Sequence, residues 1–245
     1  MRTIVHDGRR LAFNPLRGLD PGVVFLGGLR SDMSGTKAVA LEEWCREEGR
    51  AFLRLDYSGH GASGGAFEDG TIGDWLADAV AVIEAAMDGP QVLVGSSMGG
   101  WIALLIARDR PDLVAGLVTV AAAPDFTEDG YWAGFDAGQR VALERVGHVA
   151  VPSEYGEPMI VTRRLVEEGR DRLVLRDPLR LGVPVRMLQG TADASVPVAT
   201  AMRLLDHLDG ADVRLTLLGG EDHRFSSPEA LGLITRDVAD VLARV

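Results

Sequence analysis

The sequence predicts an α/β fold: a mostly parallel central sheet flanked by helices, with a small helical insertion lying over one edge of the sheet. Three observations predict it. Short apolar runs, each closed by Gly, Pro or Asp, alternate with longer helix-like stretches, which is the order of right-handed βαβ units. The runs are apolar at nearly every position, as strands covered on both faces must be. The chain has 245 residues, 47% hydrophobic and 25% charged, enough for one sizeable core with an accessory segment and far from a disordered, collagenous or disulfide-stapled composition.

Taken in order, Val23-Val24-Phe25-Leu26 reads as the first such strand and ends at Gly27-Gly28. A helix over about 34–48 follows, then the strand Ala51–Leu55, which ends at Asp56 and a Gly-rich turn. A helix over about 71–87 leads to Val92-Leu93-Val94, and another over about 98–109 leads to a strand within Leu113–Ala123, closed by Pro124. Past residue 180, Val183–Leu188 and Val213–Leu218 read as strands ending at Gly190 and at Gly219-Gly220, with helices over about 197–208 and 228–244. The last helix has a clear start signal, Ser227 as N-cap and Pro228 at its first position. Residues 1–124 and 181–245 thus form the expected core. Residues 125–180 break the rhythm: they are rich in charge, carry Tyr131, Trp132, Phe135, Tyr155, Pro152 and Pro158, show helical patches at 138–146 and 160–169, and contain no evident strand. They are read as a lid or cap insertion, with an extra helical pair packed on the side as the alternative.

Composition narrows the partners. With 25 Lys and Arg against 36 Asp and Glu the net charge is −11, and no basic run interrupts the acidic balance, so a nucleic-acid partner is not expected. Nor is attraction to anionic lipid. The longest apolar run, Leu113–Ala123, is far short of the roughly 20 residues that span a bilayer, so no integral membrane association is expected. A single cysteine, Cys45, excludes an internal disulfide and is read as a packed thiol. The N-terminal segment has no apolar core of signal-peptide length, and a cytoplasmic location is the default expectation. The sequence sets no oligomeric state.

The segment Gly95-Ser96-Ser97-Met98-Gly99-Gly100-Trp101 carries the chemistry. Gly-x-Ser-x-Gly between a strand and a helix is the pattern of a sharp turn that projects the central hydroxyl from a strained backbone. Side chains at the flanking positions would collide, so small residues are required there. The hydroxyl of Ser97 then stands at a helix N-terminus, whose partial positive charge favours a developing oxyanion. Ser96 lies off the centre of the motif and is read as structural.

Serine needs a base to take its proton, and on such a scaffold acid and histidine follow the serine in chain order. Of the downstream histidines, His207 falls in a helical pattern and His148 in the insertion. His223 lies just beyond a strand and before the capped helix, at the edge of the sheet where the serine emerges, and is read as the general base. Asp193, in Gly190-Thr191-Ala192-Asp193 after the strand 183–188, is read as the carboxylate that orients the imidazole. Asp125 is the runner-up, with a cap or turn role beside Pro124 as its competing reading, and Asp222 adjoins His223 too closely in sequence to face it. The oxyanion hole is assigned to the N–H groups of Met98, next to the serine, and Leu29, after Gly27-Gly28. The Asp56–Ser63 turn lacks the Gly-Lys-Ser/Thr ending of a phosphate loop, and His60 within it is read as a loop hydrogen-bonder. No Cys/His set at metal-ligand spacing occurs, and neither a metal nor any other cofactor is called for.

With those residues in hand, the chain resembles the α/β-hydrolase superfamily at Gly27-Gly28, Asp56–Ser63, Gly95–Gly100, Gly190–Pro197 with Asp193, and Asp222-His223. It is similar in particular to the palmitoyl-protein thioesterase and acyl-glucuronide esterase branch at Met33-Ser-Gly-Thr-Lys37-Ala, Leu55-Asp-Tyr-Ser-Gly and Asp88–Trp101. The resemblance implies the α/β-hydrolase fold and hydrolysis of fatty acyl thioesters on protein cysteines or of acyl glucuronides, so the expected partner is a small-molecule or acylated-protein substrate. Gly27-Gly28 stands where many members have His-Gly. The reading is a serine hydrolase working through an acyl-enzyme. A general short-chain carboxylesterase and, from another class, a ligand-binding protein on the same scaffold remain alternatives.

Overall fold

The computed structural model of the chain describes residues 1–153 and 156–245; Tyr155 therefore lies outside the described residues. In chain order the elements are β1 (Arg2–His6), β2 (Arg9–Leu16), β3 (Leu19–Leu26), α1 (Thr36–Glu47), β4 (Arg50–Leu55), α2 (Ile72–Ala86), β5 (Gln91–Ser96), α3 (Met98–Asp109) and β6 (Val114–Val120). There follow α4 (Ala137–Val146), β7 (His148–Ser153), β8 (Gly156–Thr162), α5 (Arg163–Arg170), β9 (Leu179–Arg180), β10 (Val185–Gly190), α6 (Val198–His207), β11 (Leu208–Asp209), β12 (Val213–Leu218) and α7 (Pro228–Leu242).

Eight strands form one sheet in the order β1-β2-β4-β3-β5-β6-β10-β12. From β4 to β12 every neighbour pair is parallel, as the continuous apolar runs require, while β1, β2 and β4 pair antiparallel. The sequence reading did not anticipate β1 and β2. β1 at the sheet edge is mostly exposed and β2 buries only Leu11, Ala12 and Phe13, so polar residues interrupt both and the apolar pattern is weak. Alternate side chains of the parallel strands enter two cores. On one face Val23, Phe25, Val92, Val94, Val118 and Val120 pack against α1 and α7. On the other, Val24, Leu26, Leu93 and Leu117 pack against α2 and α3. Helices α2 and α7 begin on side-chain caps: Thr71 accepts from the Asp74 N–H at 3.1 Å and Ser227 from the Ala230 N–H at 3.2 Å. Cys45 is fully buried against α7's face of the sheet, and burial pushes its thiol up to about 12, consistent with a packed, inert role.

Residues 125–180 depart from the all-helical expectation. A π-helical stretch, Phe126–Trp132, leads into α4, and β7 and β8 then pair as an antiparallel ribbon before α5. Pro152 and Pro158 obscured the ribbon in the sequence, yet a two-stranded ribbon consists only of edges, where a missing N–H can face outward. Val149 lies opposite Val161 in the ribbon, and both join Phe135, Leu143 and Val166 in a small core of their own. Trp132 sits between the guanidinium groups of Arg140 and Arg170, 5.1 and 4.9 Å from its ring centre, a doubled cation–π contact.

At the far edge of the sheet, buried Arg186 on β10 is held by Asp240 at 2.6 Å and Asp212 at 3.0 Å, and Arg244 adds a 3.0 Å bond to Asp240. The bond from Arg244, joined by that from Arg186 and opposed by burial, brings the Asp240 carboxyl from 3.8 down to about 2. A carboxylate depressed in the fold adds stability above its unfolded value and loses it as pH falls through its folded value. Asp240→Asn is therefore expected to lower unfolding stability by about 1 kcal/mol at neutral pH, a figure discounted for partial exposure. Urea unfolding should show the deficit narrowing as pH falls from about 4 toward 2.

Candidate active site

Ser97 occupies the joint between β5 and α3 with φ 54° and ψ −118°, a left-handed conformation that a non-glycine residue adopts only when its surroundings enforce it. The enforcement is visible in the glycines. A Cβ on Gly95 would stand 2.3 Å from the Gly99 carbonyl oxygen, and one on Gly99 would stand 2.1 Å from that of Leu26. The Ser97 backbone is itself pinned: its N–H donates to the Val120 carbonyl at 2.9 Å, and its carbonyl accepts from the Gly100 and Ala123 N–H groups at 2.9 and 3.1 Å. Strand β5, strand β6 and helix α3 thus aim one hydroxyl out of the sheet's C-terminal edge.

The structure brings Ser97, His223 and Asp193 together. Ser97 Oγ lies 3.2 Å from His223 Nε2, and His223 Nδ1 lies 2.8 Å from Asp193 Oδ2. The carboxylate can only accept, so Nδ1 carries the proton and Nε2 is left as an acceptor toward the serine hydroxyl. The Asp193 side chain is inaccessible and that of His223 is 19% exposed. Asp193 Oδ1 accepts from the N–H groups of Ser195 and Val196 at 2.9 and 2.7 Å, and Oδ2 also accepts from Gln189 Nε2 at 3.0 Å. Burial works against this charge, but the bonds from His223, the Val196 N–H and Gln189 outweigh it and hold the carboxyl below the usual range.

The loop that carries His223, between β12 and α7, is tied down on several sides. Glu221 accepts from the Ser226 and Ser227 N–H groups and from the Ser227 hydroxyl at 3.0, 3.2 and 2.6 Å, and its carbonyl accepts from Ala192 at 3.0 Å. Phe225, with φ 46°, is wholly buried, and Lys37 of α1 donates to the Arg224 carbonyl. Burial lowers the proton affinity of that ammonium, against the attraction of Asp222 and Glu221.

The remaining assignments separate cleanly. Met98 is the first residue of α3 and buried, so its N–H has no acceptor within the helix. Leu29 is half-buried and follows Gly28, where a Cβ would lie 3.2 Å from Ser97 Cβ; only a bare backbone passes that close. Tyr57 Oη reaches the Gly27 carbonyl of this loop at 3.3 Å. Asp222 Oδ1 accepts from the Arg224 N–H at 2.9 Å within its own loop. His148 is exposed on the ribbon, His207 is bonded to the Asp177 carbonyl, and Ser96 is the buried last residue of β5. His60 is buried, its Nδ1 3.1 Å from the Ser58 carbonyl and its ring edge-on to Tyr57, Phe67 and Trp75.

Asp125 is occupied elsewhere. Its carboxylate accepts from the N–H groups of Val174 and Leu175 at 2.8 and 2.9 Å and from Arg176 at 3.1 Å. It therefore joins the start of the segment after β6 to a stretch 49 residues further on. Burial raises its carboxyl despite those donors. The cap role read for Asp125 beside Pro124 is not what its side chain performs: it makes no cap bond to the Phe126–Trp132 stretch and clamps a distant segment instead. Two polar residues escaped the sequence reading. Gln189, near the end of β10, was marked only by being, with Arg186, a polar side chain in a fully buried run. Glu221 carried no spacing signal.

The fold and this constellation define an α/β-hydrolase. The sequence pattern of the serine aminopeptidase S33 hydrolase family matches residues 21–180, and the chain belongs to that family. It is 36% identical to human palmitoyl-protein thioesterase ABHD10, mitochondrial, over 241 residues, 98% of this chain and 78% of the human one. Among solved structures, a hydrolase-named protein of Agrobacterium vitis S4 superposes with a TM-score of 0.93 at 42% identity, covering 98% and 97% of the two chains. Mouse α/β-hydrolase domain-containing protein 10 superposes at 0.91 with 31% identity, covering 99% and 98%. The likeness to the palmitoyl-protein thioesterase branch thus extends over nearly the whole chain, and the protein is a hydrolase acting on ester or thioester bonds.

The expectation of a cytoplasmic location is corrected by the same relatives. Five mammalian ABHD10 proteins, 32 to 36% identical, carry "mitochondrial" in their names, which points away from the cytoplasm. Acidic charge and a lone thiol describe any aqueous, reducing compartment, and an address is read by receptors rather than expressed in the fold. Among the described residues no helix is long and apolar enough to cross a membrane.

Removing the Asp125 carboxylate strands two buried N–H groups. Asp125→Ala is expected to cost about 2–4 kcal/mol in chemical denaturation. Arg176→Ala, whose guanidinium is partly exposed, is expected to cost under about 1 kcal/mol.

Proposed function

We propose that the chain hydrolyses long-chain acyl thioesters, of the kind formed on protein cysteines, through an acyl-enzyme on Ser97. The observation that carries the reading is the continuous contact from Ser97 Oγ to His223 Nε2 and from His223 Nδ1 to Asp193 Oδ2. In this reading Ser97 attacks the acyl carbon while His223 Nε2 takes the hydroxyl proton, and the charge on the carbonyl oxygen is received by the N–H groups of Met98 and Leu29. The tetrahedral adduct collapses, His223 returns the proton to the leaving thiolate or alkoxide, and the acyl group stays on Ser97. Water then enters, His223 accepts its proton, and the acid departs as Ser97 regains its hydrogen. Asp193 stays ionised throughout, fixing the tautomer of His223 and stabilising the imidazolium.

Residues 125–180 act in this reading as a lid over the site, with 1–124 and 181–245 as the core. The support is a row of aromatic contacts that leaves α3 at Trp101 and runs through Phe126, Tyr131 and Phe135 into the segment's own core. The names of the ABHD10 relatives support the palmitoyl thioester class; an acylated protein or a small acyl thioester satisfies the same chemistry.

Ser97→Ala and His223→Gln are each expected to lower kcat by about 10⁴-fold or more with melting unchanged. A series of acyl thioesters from acetyl to palmitoyl should show kcat/KM rising with chain length. A maximum at acetyl would instead identify a short-chain esterase. Failure of a fluorophosphonate to label Ser97 in the folded protein would remove the catalytic reading altogether.

A further inference from the structure

Gln189 is wholly buried and stands directly behind the carboxylate of the proposed Ser-His-Asp array. Its Nε2 lies 3.0 Å from Asp193 Oδ2, 3.0 Å from the Val196 carbonyl and 3.2 Å from the Gly190 carbonyl. All three neighbours are acceptors, so the amide can face them only through its nitrogen. Its Oε1 is buried without a hydrogen-bond partner. An apolar residue would fill this position, next to Leu188 near the end of β10, without stranding a buried acceptor. A polar group that tolerates such an orphan atom has its value in what the other end does.

That other end meets one particular oxygen. Asp193 Oδ2 is the atom that faces His223 Nδ1, and it is the atom that Gln189 also touches; Oδ1 is committed separately to Ser195 and Val196. A second donor on Oδ2 draws negative charge from the oxygen that stabilises an imidazolium, and it fixes the carboxylate plane at the histidine. Asp193 and His223 form the cluster, Glu221, Asp222 and Arg224 lie beside His223 in its loop, and Lys37 reaches that loop from α1.

We propose that Gln189 is a positioning residue for catalysis: through its amide N–H it orients Asp193 and draws charge from the oxygen that faces His223 Nδ1, and so sets where the reaction fails on the acid side. The proposal rests on the Ser97–His223–Asp193 reading. It assigns Gln189 no contact with substrate.

The direction of its effect follows from charge. Without the donor, more of the carboxylate's charge remains on Oδ2 against the Nδ1–H, and the acid limb of the rate profile moves upward. The test is the pH dependence of kcat/KM for a soluble acyl thioester or p-nitrophenyl ester, measured on the wild type, Gln189→Met and Gln189→Asn. Methionine matches glutamine in length without its donor. Asparagine keeps the amide but is one carbon too short to reach Asp193, and it gives the comparison should the methionine variant not fold. The acid limb is expected to move upward by about half a pH unit or more in both variants, with the rate on the neutral plateau within about tenfold of wild type. Folded variants whose acid limb coincides with that of wild type, or moves downward, would overturn the proposal. Ser97→Ala runs beside them as a control. If it retains activity, the Ser-His-Asp reading itself has failed; if it is inactive while the limbs coincide, only the role given to Gln189 has.

Discussion

The strained backbone of Ser97 is the constraint around which the rest of the molecule is arranged. A non-glycine residue at φ 54° and ψ −118° costs about 1–3 kcal/mol and persists only when its neighbours over-determine it. Here five neighbours do so. The β6 carbonyl of Val120 fixes the amide, Gly100 and Ala123 fix the carbonyl, and the bare backbones of Gly95 and Gly99 let α3 close onto β5 and the end of β3. That closeness is possible because the parallel strands are buried on both faces and the two cores press α3 and α7 onto opposite sides of the same sheet. The stability of the core is thereby converted into the position of one hydroxyl.

The second constraint is the burial of a charge. Asp193 is inaccessible, and an isolated carboxylate in such a place would be neutralised. Four donors answer it: two backbone N–H groups on one oxygen, an imidazole and an amide on the other. The end of β10 and the loops after β10 and β12 supply these donors, and they are neighbours because β10 and β12 pair in parallel register and end side by side at Gly190 and Leu218. Gly190 itself approaches the Glu221 carbonyl so closely that a Cβ there would stand 2.2 Å away. The electrostatics of the site are therefore a consequence of sheet register and of one glycine as much as of the residues that bear charge.

Much of this was legible in the sequence because it depends on local pattern. Continuous apolar runs foretold the parallel strands, and Gly-x-Ser-x-Gly foretold the joint at Ser97 because its steric demands are confined to five consecutive residues. Asp193 and His223 were legible from their places just beyond strand ends. What escaped depends on contacts between distant segments. The reach of Asp125 across 49 residues to Val174 leaves no periodic trace, and neither does the amide of Gln189 behind Asp193. The ribbon β7–β8 was hidden by prolines that an interior strand would not tolerate, and β1 and β2 by the mixed polarity of a sheet edge. The compartment was out of reach for a different reason, since charge and thiol count report on the solvent rather than on the address.

The segment after β6 obeys other rules from those of the core. It has its own small cluster around Phe135, Leu143 and Val161, while Leu165, Val174, Leu175 and Leu179 join the main core. Asp125 binds Val174 and Leu175 and so closes the segment's two ends on each other, and Trp101 of α3 ties the closed ends to the core by donating through its indole to the Arg172 carbonyl at 3.1 Å. The restraints on Ser97 come instead from β3, β5, β6, α3 and Ala123 just after β6. Asp125 and Trp101 mark the segment's junction with the core, and because their bonds go to the backbone of Arg172, Val174 and Leu175, those three positions can change side chain without loosening the junction.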